Sequence, residues 1–232
     1  SCSLDSLISF FVKGVRVNVV LRFLTGIVLA SSLAGIILLT GIYHGKGDLA
    51  GKVPAEGAKV PFLKQIGTPN APVEIIEFTD FECPACGVAY KALKQMEGQY
   101  AGKINVTFKH YPLHYHKSAM SAHRAAECAN SQGKFWLFHD FLFQNQRDWV
   151  GKDPAVFINY AQALGLDEQR FNACFSSSEP DLVIQAEIQE ARERQVNATP
   201  TFFINGERTV GGRDLETKGK EIIEKVLQKK QA

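Results

Sequence analysis

A β-branched run, Val73-Glu74-Ile75-Ile76-Glu77-Phe78, leads within a few residues into Cys83-Pro84-Ala85-Cys86. The run is bounded by Pro72 and Asp80 and reads as a buried strand. Proline is preorganised for the first helical position, where its missing N–H costs nothing, so Pro84 opens a helix predicted to reach about Gln99. Cys83 then falls at the N-cap, its sulfur beside unpaired backbone N–H groups and the positive end of the helix dipole. Both favour the thiolate, the form of cysteine that attacks disulfides. Cys86 lies one turn further in, near enough to close a ring with Cys83 but less exposed. The spacing predicts Cys83 as nucleophile and Cys86 as resolving thiol. Half a zinc site is the competing reading, but structural zinc usually takes a second close cysteine pair, which this chain lacks. His110, His114 and His116 are the available partners. Histidines clustered in a loop read as surface residues, and no metal or other cofactor is expected.

Around this motif the chain is ordered as alternating elements. Ile104–Lys109 reads as a second strand, which requires a right-handed crossover and a parallel pair. Helices are predicted over Ser118–Ser131, Lys134–Gln144, Pro154–Leu164, Glu168–Phe175 and Leu182–Gln195, with Gly133, Gly151 and Gly165 between them. Strand character returns at Thr201–Ile204, turns at Asn205-Gly206 and resumes at Arg208–Val210 as a hairpin. An amphipathic helix over about Leu215–Gln228 closes the chain. The order is β-α-β, a helical block over about 113–196, then β-β-α: an α/β fold with a helical insertion.

No charged residue occurs from Phe23 to Tyr43, and an apolar span of about 20 residues matches the hydrocarbon thickness of a bilayer. A cleavable signal peptide is the alternative, with Ser32-Leu33-Ala34 as a loose cleavage site, but Gly35–Leu39 continues the apolar run beyond it. The expected organisation is an N-terminal cytoplasmic segment (1–22), a transmembrane anchor (23–43), a linker (44–60) and one domain (61–232). Basic residues tie on the two sides of the span: Lys13, Arg16 and Arg22 before it, Lys46, Lys52 and Lys59 after it. Orientation therefore rests on cysteine chemistry, since an oxidising thiol pair facing the cytoplasm would be held reduced. A net charge of +2, with no basic stripe, excludes a nucleic-acid surface.

The run Phe78-Thr79-Asp80-Phe81-Glu82-Cys83-Pro84-Ala85-Cys86, with Ala198-Thr199-Pro200-Thr201-Phe202-Phe203-Ile204-Asn205-Gly206 downstream, resembles the DsbA-like branch of the thioredoxin superfamily. The resemblance implies a thioredoxin fold with inserted helices and a cis bond at Thr199-Pro200 beside the cysteines. Such a bond leaves backbone groups of Thr199 free for an extended substrate chain. It implies that Pro84 and Ala85 tune the redox poise. It also implies that Glu77 is a buried proton acceptor for Cys86. Glu74 interrupts the same strand, so only one of the two needs to be buried. Cys128 and Cys174 resemble the second, non-catalytic bridge of some relatives; two buried free thiols are the alternative. Cys2 lacks a lipobox and receives no role.

The expected function is that of an extracytoplasmic thiol–disulfide oxidoreductase in a bacterial inner membrane, its catalytic domain periplasmic. It would pass its disulfide to reduced secreted proteins and be reoxidised by a DsbB-like membrane partner, with Phe81 and Phe202 as an apolar platform for unfolded chains. A reductase or isomerase in the same compartment, fed by a membrane reductant, is one alternative. A thioredoxin-fold module holding a metal such as copper is another.

Overall fold

The computed structural model describes residues 64–230, within the unit Pro61–Ala232. The expectations for residues 1–22, 23–43 and 44–60, and for Cys2, lie outside the described residues. Among the described residues no helix is long and apolar enough to cross a membrane.

A five-stranded sheet has the order β1-β3-β2-β4-β5. Its centre is β2 (Val73–Thr79), parallel to β3 (Ile104–His110) from Val73↔Ile104 to Thr79↔His110. On the other side β4 (Thr201–Ile204) runs antiparallel to β2, and β5 (Glu207–Val210) closes the hairpin. Asn205 and Gly206 have φ of 46° and 88°, the left-handed pair a two-residue hairpin turn needs. A short edge strand, β1 (Gln65–Gly67), pairs antiparallel with β3. It ends on Gly67, where φ is +107° and a Cβ would stand 2.4 Å from the Ile104 carbonyl oxygen.

The strand period of two divides the side chains between the sheet's faces. Val73, Ile75, Ile104, Val106, Phe202 and Ile204 pack against α1 (Pro84–Gln99) through Ala89, Leu93 and Met96. The same core takes Ile222 and Ile223 from the last helix. Burying each large aliphatic or aromatic side chain is worth about 1.5–3 kcal/mol, so this layer fixes where α1 starts and hence where its N-cap lies. Between β3 and β4 come α2 (Ala119–Asn130), α3 (Phe135–Gln144), α4 (Gln146–Trp149), α5 (Val156–Ala163), α6 (Glu168–Phe175) and α7 (Glu179–Glu193). Phe81, Phe108, Phe138, Leu142, Trp149 and Phe171 form the core that joins this block to the sheet.

Four elements depart from the sequence reading. Strand β1 and helix α4 are too short to leave a periodic signal, and both are held by tertiary contacts: β1 by β3, and α4 by fully buried Trp149. Helix α7 begins at Glu179, before Leu182, because Pro180 occupies its first turn and Glu179 and Asp181 suit its positive end. The closing helix is not continuous. It consists of α8 (Gly211–Asp214), a π-turn over Leu215–Gly219 and α9 (Lys220–Lys229). Glycines permit this path: a Cβ on Gly212 would meet Ala89 Cα at 3.2 Å, and one on Gly219 would meet Ile204 Cδ1 at 3.0 Å.

Candidate active site

The β2–α1 junction is tied by its own backbone. Cys83 N–H donates to Asp80 O at 3.2 Å, and Cys86 N–H and Gly87 N–H return to Cys83 O at 3.0 and 3.1 Å. Gln146 Nε2 from α4 donates to Phe81 O at 2.7 Å and to Cys83 O at 2.9 Å, a clamp that sequence reasoning missed because α4 left no signal. Cys83 occupies the N-cap with extended φ/ψ of −68° and 121°, and Pro84 follows in the first helical turn.

Both thiols are free. Cys83 Sγ contacts Thr199 O at 3.7 Å, and Cys86 Sγ accepts Asp80 N–H at 3.5 Å. The environments push the two sulfurs apart. Cys83 is lowered to about 5, first by the hydrogen bond from Cys86, then by Thr199 and by the backbone N–H groups of Cys86 and Ala85, against the effect of burial. Burial, then the neighbouring Cys83 thiolate, raises Cys86 well above an ordinary thiol. A nucleophile just beneath the surface and a fully shielded partner result, with relative exposures of 7% and 0%.

The bond between Thr199 and Pro200 is cis, and it places the Thr199 carbonyl against Cys83. Glu77 is 1% exposed whereas Glu74 is exposed, as alternation along β2 requires. Glu77 and Thr79 share the buried face of β2 that α1 covers. Burial raises the Glu77 carboxyl to about 8, and its Oε1 has no hydrogen-bond partner. Cys128 and Cys174 form a disulfide between α2 and α6.

Two expectations need correction. Phe81 and Phe202 offer no platform, because both are fully buried. Phe81 stacks on Phe108 at 5.1 Å and lies 4.8 Å from the His123 ring, and Phe202 belongs to the core beneath α1. The exposed apolar groups beside the motifs are Val88, two residues after Cys86, and Val210, paired in register with Thr201. The histidines are not a plain surface cluster either. His110 is the last residue of β3, on the inward face with Ile104, Val106 and Phe108, and is fully buried. The alternation of that strand continued one position further than Lys109, which was the available signal. His116 Nδ1 stands 2.7 Å from Asp80 Oδ2.

The same fold is found among solved structures. Oxidised BdbD from Bacillus subtilis superimposes with a TM-score of 0.65 at 22% identity, over 72% of this chain and 94% of that one. The α-DsbA1 of Wolbachia pipientis gives 0.62 at 21% identity, over 73% and 95%. Sequence comparison finds a Na(+)/H(+) antiporter NhaA 1 of Salinispora arenicola, 36% identical over 151 residues. That match takes in 65% of this chain but only 22% of the antiporter, so the chain spans about a fifth of the curated relatives it matches. The thioredoxin family model matches residues 63–225, well over half of the 232 residues, and the chain therefore belongs to the thioredoxin family.

Proposed function

We propose that this chain is an extracytoplasmic dithiol oxidase that passes a Cys83–Cys86 disulfide to reduced secreted proteins. The observation that carries the proposal is the pair of opposed thiols: Cys83 lowered to about 5 at a helix N-cap and Cys86 raised behind it. A substrate thiolate attacks Cys83 Sγ. The new S–S bond forms as the Cys83–Cys86 bond breaks, and Cys86 leaves with the electron pair and takes up a proton. Glu77, protonated at neutral pH with its pKa near 8, is the proposed donor of that proton. A second substrate thiolate then attacks the substrate's sulfur in the mixed disulfide and releases Cys83 as thiolate. The substrate loses two electrons and the enzyme gains them as a dithiol. A low pKa makes Cys83 a good leaving group and stabilises the reduced enzyme, which is what makes a couple oxidising.

The substrate chain lies along the backbone of Thr199, whose carbonyl already faces Cys83. Pro84 and Ala85 set the poise by fixing the first helical turn over the sulfur. A DsbB-like membrane partner, in a bacterial inner membrane that anchors the chain, takes the electrons back. Ion antiport is no part of this reading, because the chain spans only 22% of the antiporter it matches.

The deciding experiment is the reduction potential of Cys83/Cys86 in glutathione buffers. A value near about −120 mV supports the oxidase, and one near about −270 mV overturns it in favour of a reductase.

A further inference from the structure

Behind the active-site loop, among residues the exchange chemistry does not use, lies a buried line of polar side chains. Glu127 Oε1 on α2 faces His110 Nε2 on β3 at 2.7 Å. His110 Nδ1 faces His123 Nδ1 on α2 at 2.5 Å. His123 Nε2 receives the backbone N–H of Phe81, in the loop before Cys83, at 3.4 Å. Both histidines are fully buried and Glu127 nearly so.

The two ends of this line dictate the protons between them. Glu127 only accepts: against the effect of burial, the hydrogen bond from His110 and the Lys64 charge hold its carboxyl below the ordinary range. His110 must therefore carry its proton on Nε2. Burial, then the Lys64 charge, keeps His110 neutral, so its Nδ1 is a lone pair. The facing Nδ1 of His123 must then be the donor. That leaves His123 Nε2 as the acceptor the Phe81 N–H requires. Asp80 Oδ1 also stands 3.5 Å from His123 Nε2, a second polar neighbour of that nitrogen. Three of the four ring nitrogens in the line have one partner; His123 Nε2 has both Phe81 N–H and Asp80 Oδ1 within reach, and the backbone N–H, which can only donate, makes it an acceptor.

The groups facing the pair come from each element packed on it. Lys64 bridges Glu127 and Glu187 of α7, and Glu187 Oε2 accepts His110 N–H at 2.7 Å. Asp80 faces His123, and His139 of α3 lies among the same rings. At the loop end, Phe81 is flanked by Asp80, whose N–H meets Cys86 Sγ and whose carbonyl holds Cys83 N–H.

We propose that His123, oriented by His110 and Glu127, is a positioning residue for the redox couple: by accepting the Phe81 N–H it holds the Asp80–Cys83 segment in the geometry that favours the Cys83 thiolate. This role rests on the oxidase reading of Cys83 and Cys86. The two ring nitrogens can be tested separately, because a glutamine amide oxygen mimics an Nε2 acceptor and an asparagine amide N–H mimics an Nδ1 donor. In the full-length chain, His123→Gln should keep the wild-type equilibrium with glutathione. His123→Asn and His123→Phe should shift it toward the disulfide about tenfold, or about 30 mV for a two-electron couple, and raise the Cys83 thiolate pKa. Equal behaviour of the Gln and Asn variants at matched stability would reduce His123 to a packing residue and overturn the proposal. A wild-type chain that does not equilibrate with glutathione at all would overturn this proposal and the oxidase reading together. Should the variants not fold, nitrogen NMR of wild-type histidines decides: His110 as the Nε2–H tautomer and His123 as the Nδ1–H tautomer support the relay, and the reverse pair refutes it.

Discussion

Cys83 Sγ lies 3.7 Å from the carbonyl oxygen of Thr199, a residue 116 positions further along the chain. The contact makes the N-cap of α1 and the strand entry at Thr199-Pro200 one site. It exists because β2 and β4 are hydrogen-bonded neighbours, so the segments leading out of β2 and into β4 meet at the same edge.

That contact and the helix N-cap predict the pH dependence of the nucleophile. Alkylation of the reduced chain should titrate near pH 5 at Cys83, and Cys86 should stay unreactive until well above pH 9. Linkage sets the sign for stability. A thiol pKa lowered from 9.0 to about 5 stabilises the folded dithiol form fully above pH 9, and the benefit shrinks as pH falls across that window and is gone below about pH 5. Iodoacetamide labelling at single pH values, resolved by peptide mass, is the check.

Replacing Cys86 by Ala should leave Cys83 able to attack an oxidised, disulfide-bearing substrate and form a mixed disulfide, with no intramolecular thiol to release it. Substrate adducts should then accumulate on non-reducing gels. Cys83→Ala should form none, and its exchange rate should fall to the uncatalysed background.

Glu77→Gln should act on stability and rate in different ways. The folded carboxyl has a pKa near 8 against an ordinary 4.5, so the native state binds the extra proton between these values. Stability is therefore present below about pH 4.5 and is lost as pH rises toward 8, by roughly 3–5 kcal/mol across the window. The glutamine variant, which carries no charge, should show a flatter profile and be the more stable protein above pH 8 in denaturant titrations. Its exchange rate at neutral pH should fall about 10²-fold if Glu77 supplies the Cys86 proton.

The Cys128–Cys174 bridge spans 46 residues of α2–α6 sequence. Closing a loop of that length contributes about 4 kcal/mol in the chain-entropy model. The double alanine variant should lose close to that amount in urea unfolding while keeping the wild-type Cys83 pKa.

The sequence by itself determined the elements that carry their own local physics. Pro84 after Cys83 sets a helix start, the β-branched, mostly apolar run Val73–Phe78 sets a strand, and Asn205-Gly206 sets a hairpin; each depends on neighbours a few residues away. The cysteine pair was legible for the same reason. Tertiary structure alone decided which groups share an environment. It buried Phe81 and Phe202 and buried Glu77 rather than Glu74. It set α4 beneath the loop so that Gln146 reaches Cys83 O, and it turned His110 toward His123. Burial and hydrogen bonding across β2, β3, α2 and α4 depend on packing between segments far apart in the chain. No local pattern records that packing, and it sets the Cys83 thiol near 5 and the Glu77 carboxyl near 8.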